Sequence, residues 1–223
     1  LHPNTAHNII RTLFRRGYLL QQDDNRYALG PRCYQIGMRC NPWEQLRQVA
    51  NPLMRCLSQE TLDNAFLGVR SGDKLLCVTR TEGRGVIVVA EQQDWLDQMH
   101  STATGKVILA YEKGRWVDTF LATQHLQQRT PHTLVDRQAL IDQLAAIRMQ
   151  GYAICQDESA EGVSAVGVPV FGMNGELLAA LGQSFPTFYL ITQKIDLSAR
   201  IDILQRYARQ ISEAYATPID ETA

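Results

Sequence analysis

Between Asn4 and Gly17 the apolar side chains Ala6, Ile9, Ile10, Leu13 and Phe14 recur every three or four residues, and the chain then turns at once into a hairpin. That period belongs to an amphipathic helix. Arg15 and Arg16 fall in its last turn, where they complement the negative end of the helix dipole, and Gly17 supplies the C′ position. Two short strands are predicted next, Tyr18–Gln21 and Arg26–Leu29, joined by the polar turn Asp23-Asp24-Asn25. Gly30-Pro31 ends the unit.

A helix followed directly by a small hairpin is the second half of a winged helix–turn–helix. The face opposite the apolar stripe carries Asn4, Thr5, His7, Asn8, Arg11, Thr12 and Arg15, types that reach base edges and phosphates, and Arg26 lies on the wing. A merely solvated helix face would look similar. Charge favours DNA: residues 1–40 hold six basic and two acidic side chains, while the rest holds 16 basic and 21 acidic ones. A basic head on an acidic body predicts two parts with different partners.

The body changes period repeatedly. Residues 31–42 read as a short linker helix and Trp43–Leu62 as a longer one, kinked or divided at Pro52. Ala65–Arg70 and Lys74–Arg80 form a predicted hairpin around Ser71-Gly72-Asp73, with a third strand over Gly85–Glu91. Helices are predicted over Thr102–Tyr111, Asp136–Gln150 and Asp196–Ala216. Strands are predicted over Tyr152–Gln156, Ser164–Phe171 and Glu176–Ser184. Hairpins with helices before and after them argue for an antiparallel α+β domain.

Several classes are excluded. The five cysteines (33, 40, 56, 77 and 155) are scattered without a Cys-x-x-Cys, and the five histidines (2, 7, 100, 125 and 132) lack ligand spacing, so no metal or disulfide framework is expected. No dinucleotide or P-loop glycine motif occurs, and no cofactor is expected. The longest charge-free stretch, Leu177–Gln193, contains Pro186 and several polar residues and does not suit a membrane span. A reduced, cytoplasmic setting is expected. The chain opens on Leu1 within what reads as a helix–turn, which predicts a segment upstream.

Three segments together resemble the IclR family of bacterial transcriptional regulators. The first is Asn4-Thr5-Ala6-His7-Asn8-Ile9-Ile10-Arg11-Thr12-Leu13, with Gly17-Tyr18-Leu19 and Tyr27-Ala28-Leu29-Gly30. The second is His100-Ser101-Thr102-Ala103-Thr104-Gly105-Lys106-Val107-Ile108-Leu109-Ala110. The third is Gly151-Tyr152, then Glu158, Gly162 and Val168-Pro169-Val170-Phe171. The resemblance implies an N-terminally incomplete winged helix–turn–helix over residues 1–30, a linker helix over 31–42, and a GAF-like effector-binding and oligomerisation domain over 43–223. It further implies operator DNA as partner, a homodimer or tetramer, no enzymatic activity, and either repression or activation. The chain departs from the family at Asn8, where an Arg is usual, and before His100, where Asp94–Met99 lacks the usual Gly and Pro.

Small residues entering the helix at Thr102–Lys106 leave backbone N–H groups that suit a carboxylate, though close helix–sheet packing asks for the same residues. The resemblance places effector contacts at Ala103, Thr104 and Gly105, at Cys155, Val163 and Ala165, and at Gly182 and Ser184. His100 and Glu158 join them, with a framework role as the alternative: His100 ahead of the helix, Glu158 holding backbone donors. Relatives often carry an acid where Cys155 stands and a hydroxyl where Gly182 stands. Their loss implies an effector less polar or bulkier than a two-carbon keto acid, and, with no Lys or Arg but Lys106 in these segments, an anion held by backbone donors and the helix dipole. Two rival readings stay open: an enzyme with Cys155 as nucleophile and His100 as base, and a dimerisation module without a ligand.

Overall fold

The structure, a computed structural model, describes residues 3–22, 26–39, 42–87, 89, 99–113 and 115–216. The chain divides into two compact units, Leu1–Glu44 and Gln45–Ala223.

In the first unit the helical period gives α1 (Pro3–Arg15). Gly17 ends it at φ +74°, and the Tyr18 N–H reaches back to the Leu13 carbonyl at 2.9 Å. Strands β1 (Leu19–Gln21) and β2 (Tyr27–Leu29) pair antiparallel, Leu20 opposite Ala28, and α2 (Pro31–Arg39) follows. The turn expected at Asp23-Asp24-Asn25 lies outside the described residues.

The second unit opens with α3 (Glu44–Thr61). The helix runs through Pro52 without dividing there, so of the two expected outcomes a division does not occur. Pro52 lies on the exposed side, while Leu46, Ala50, Met54 and Leu57 bury the opposite stripe and hold the helix together. Five antiparallel strands form one sheet in the order β4-β3-β7-β6-β5. They are β3 (Asn64–Ser71), β4 (Lys74–Thr81), β5 (Ala153–Gln156), β6 (Val163–Phe171) and β7 (Leu177–Pro186). Of the third strand expected over Gly85–Glu91, residues 85–87 form bends instead; residues 88, 90 and 91 lie outside the described set.

One face of the sheet carries α4 (Ala103–Tyr111), α5 (Arg115–Thr123) and α6 (Arg137–Gln150). Their core joins Val107, Leu109, Phe120, Leu140, Leu144 and Ile147 to Ala153 and Cys155 of the sheet. The other face carries α3 and α8 (Leu197–Ala216), tied through a buried polar network. There the Arg200 guanidinium donates to Asp63 at 2.6 Å and to the Gln183 side chain at 3.1 Å, and Gln183 donates to Thr61 at 2.6 Å. The expectation of an antiparallel α+β domain is met. Sequence reading missed α5, although Val117, Phe120 and Leu121 form a helical stripe, and the four-residue α7 (Phe188–Ile191), which is too short to show one.

Candidate functional site

Every residue of α4 from Ala103 to Ala110 is buried. Thr102 caps it, its hydroxyl accepting from the Gly105 N–H at 3.2 Å. Gly105 is fixed by close approach, since a Cβ there would lie 2.4 Å from the Met99 backbone. Gly182 lies under the same turn, where a Cβ would meet the Thr104 methyl at 2.7 Å and the Phe66 ring at 2.5 Å. At Gly105 and Gly182 the missing Cβ thus permits close helix–sheet approach.

The register brings most of the expected contacts side by side. Cys155 on β5 pairs with Ala165 on β6, and Ala165 pairs with Ser184 on β7. The next row joins Ala153, Gly167, Gly182 and Phe66. Val163 lies further along β6, opposite Pro186. Ala103 and Thr104 bear on these rows through Gly167 and Gly182. Two hydroxyls in this turn, Ser101 Oγ and Thr104 Oγ1, are buried with no hydrogen-bond partner. A single Ser in a polar turn, as Ser101 is, carries no periodic signal that would mark it from sequence.

Lys106 is fully buried, and its ammonium donates to both oxygens of Glu158, at 2.5 and 2.6 Å. Glu158 thus binds a side-chain cation first and a backbone donor second, the Leu134 N–H at 3.4 Å. Its loop is fastened on every side. Thr133 donates to the Glu158 carbonyl at 2.7 Å, Thr130 to the Asp157 carbonyl at 2.6 Å, and the Asp157 carboxylate accepts from Gly162 and Thr187. His100, 2% exposed, bonds the Gln127 carbonyl at 3.0 Å through Nε2, and burial lowers its pKa. Both residues have protein partners in place.

Cys155 is wholly enclosed, and burial pushes its thiol up to about 12. A thiol held there is protonated at neutral pH and is no nucleophile. Among the described residues no group of three His, Cys, Asp or Glu side chains could hold a metal, and no helix is long and apolar enough to cross a membrane.

On the first unit, Asn4, Thr5, His7, Asn8, Arg11, Thr12, Arg15 and Arg26 are all exposed. Asn4, Asn8, Arg11 and Arg15 fall in one stripe along α1 by their spacing of four and three. The Thr12 hydroxyl donates back to the Asn8 carbonyl one turn earlier, at 2.8 Å.

Comparison with known proteins gives a consistent result. The family model described as bacterial transcriptional regulator IclR C-terminal matches residues 43–213. The HTH-type transcriptional regulator BhcR of Paracoccus denitrificans is 30% identical over 212 residues, covering 94% of this chain and 75% of that protein. An IclR-type regulator of Silicibacter sp. TM1040 superposes with a TM-score of 0.82 at 24% identity, over 98% of this chain and 85% of that one. An IclR homologue of Microbacterium hydrocarbonoxydans, solved in complex with 4-hydroxybenzoate, gives 0.77 at 23% identity, over 95% and 85%. These regulators are not enzymes, which removes the Cys155 nucleophile reading. With its hairpin-bearing N-terminal unit, its antiparallel sheet and its packed Thr102–Lys106 turn, the chain belongs to the IclR family of bacterial transcriptional regulators.

Proposed function

We propose that this regulator senses a small carboxylic acid at the start of α4 and passes the signal to DNA contacts on α1. One observation carries the effector site: the buried, unpartnered hydroxyls of Ser101 and Thr104 beside the Cys155–Ala165–Ser184 row. Leaving a buried hydroxyl unpaired costs about 1–3 kcal/mol, a cost that a bound acceptor offsets. Ala103, Gly105, Val163 and Gly182 shape the surrounding wall. His100 and Glu158 hold the framework through Gln127 and Lys106. Lys106 is committed to Glu158, so the carboxylate is held by hydroxyls, backbone N–H groups and the helix dipole. A Cys and a Gly in place of stronger hydrogen-bonding groups favour a ligand less polar than a two-carbon keto acid.

In this reading Asn4, Thr5, His7, Asn8, Arg11 and Thr12 face bases and phosphates, with Arg15 and the wing's Arg26 on the backbone. The molecule works in the cytoplasm, as a homodimer or tetramer. Paired recognition helices then reach half-sites roughly 34 Å apart. Sedimentation equilibrium at micromolar concentration is expected to show a species heavier than one 25.1 kDa chain; a monomer alone contradicts the pairing.

Thermal denaturation with 4-hydroxybenzoate and related carboxylic acids tests the site. Thr104→Val keeps the shape and removes the unpaired hydroxyl. Without ligand its stability should hold or rise by about 1 kcal/mol, and the ligand-induced shift should shrink. A destabilised variant with an unchanged shift rules out this site.

A further inference from the structure

A cavity of about 400 Å³ opens where α3 meets the end of β4. It lies away from the α4 turn and shares no residue with it. Arg55, Ser58 and Gln59 line it from one face of α3, Arg80 and Thr81 from the end of β4, and Glu82 and Arg84 from the loop beyond. Three arginines from three elements thus share the lining with one glutamate. None of the three has a carboxylate partner among the described residues. General basicity does not explain the cluster, because residues 41–223 hold 16 basic against 21 acidic side chains.

The cavity is built on a braced frame. Ser58 Oγ and Thr81 Oγ1 lie 2.6 Å apart and join α3 to β4 at its base, and Thr81 also donates to the Met54 carbonyl at 3.2 Å. The loop carrying Arg84 is fastened on both sides. The Gly83 N–H donates to Asn64 Oδ1 at 2.7 Å and the Gly85 N–H to the Leu62 carbonyl at 2.8 Å. Exposed arginines that merely solvate a surface do not need a backbone pinned on either side of one of them.

We propose that this cavity is a second ligand site, for a compact dianion of the phosphate class. A carboxylate has two oxygens in one plane and one charge, which a single guanidinium fork neutralises. Three forks arriving from different elements match a tetrahedral group with four oxygens and nearly two charges. Glu82 opposes any anion there and sets the affinity below what three arginines alone would give. The phosphate is either free or the headgroup of a phosphorylated metabolite.

The test is a melting-temperature titration of the full chain with inorganic phosphate and with glycerol 3-phosphate, against sodium chloride at matched ionic strength. A saturable rise beyond chloride is expected. Arg55→Gln/Arg84→Gln should raise the half-saturating concentration at least tenfold, whereas Glu82→Gln should lower it several-fold. Removing two exposed arginines on the opposite face of the sheet, Arg115→Gln/Arg137→Gln, should leave it unchanged. A response to both probes assigns the bare phosphate group as sufficient; a response to glycerol 3-phosphate alone assigns a phosphorylated metabolite. A response no larger than chloride's, or one that survives Arg55→Gln/Arg84→Gln, or one that Glu82→Gln weakens, overturns the proposal.

Discussion

Lys106 and Glu158 are 52 positions apart and meet in the core with 2.5 and 2.6 Å contacts. Removing one partner of such a pair strands the other charge away from water, a loss of about 3–5 kcal/mol, whereas replacing both with apolar residues is often neutral. Lys106→Met should therefore lower the urea unfolding free energy by about 3–5 kcal/mol, and Lys106→Met/Glu158→Leu should recover most of it. Single changes costing under about 1 kcal/mol would show that the pair is solvated rather than buried. Neither residue's role was legible from local pattern. Lys106 stands in a helix whose apolar residues hide its direction, and Glu158 stands in a loop without periodicity. Motif resemblance marked both positions but gave Glu158 backbone donors as partners, because a sequence does not show which cation faces a loop.

At the scale of elements, the start of α4 poses a conflict of signs. Gly105→Ala gains helix propensity worth about 1 kcal/mol. It also drives a methyl to 2.4 Å from the Met99 backbone, and overpacking of this kind costs about 1–3 kcal/mol. Backbone does not yield as a flexible side-chain end does, so the clash wins. Calorimetry should show a lower melting temperature for Gly105→Ala; a higher one would mean that α4 stands off its support. Long elements with a clear period, α1, α6 and α8, were legible in the sequence nearly to their ends. The sheet order was not. Strands β3 and β7 are neighbours across more than a hundred residues, a pairing that alternation within each strand leaves open. The Cys155–Ala165–Ser184 row could be listed from resemblance but became a physical surface only through that register.

The whole molecule is a basic first unit of about 44 residues followed by an acidic α+β body. Charge asymmetry announced that division, and the apolar stripe of α1 showed which of its faces is left for a partner. That stripe stays partly open, with Ile9 47% and Phe14 44% exposed. The polar stripe opposite carries Asn4, Asn8, Arg11 and Arg15 into solvent. The central claim, that this face binds DNA and does so chiefly through charge, is tested most directly by fluorescence-anisotropy titration of duplex DNA across a salt series. The measurement compares the intact wild-type protein with its Arg11→Ala variant. Each phosphate contact contributes a slope of about 0.9 in log affinity against log salt. The account predicts a slope of several units in the wild type, reduced by about one and with weaker binding in Arg11→Ala. A flat salt dependence, or identical curves for the two proteins, contradicts it.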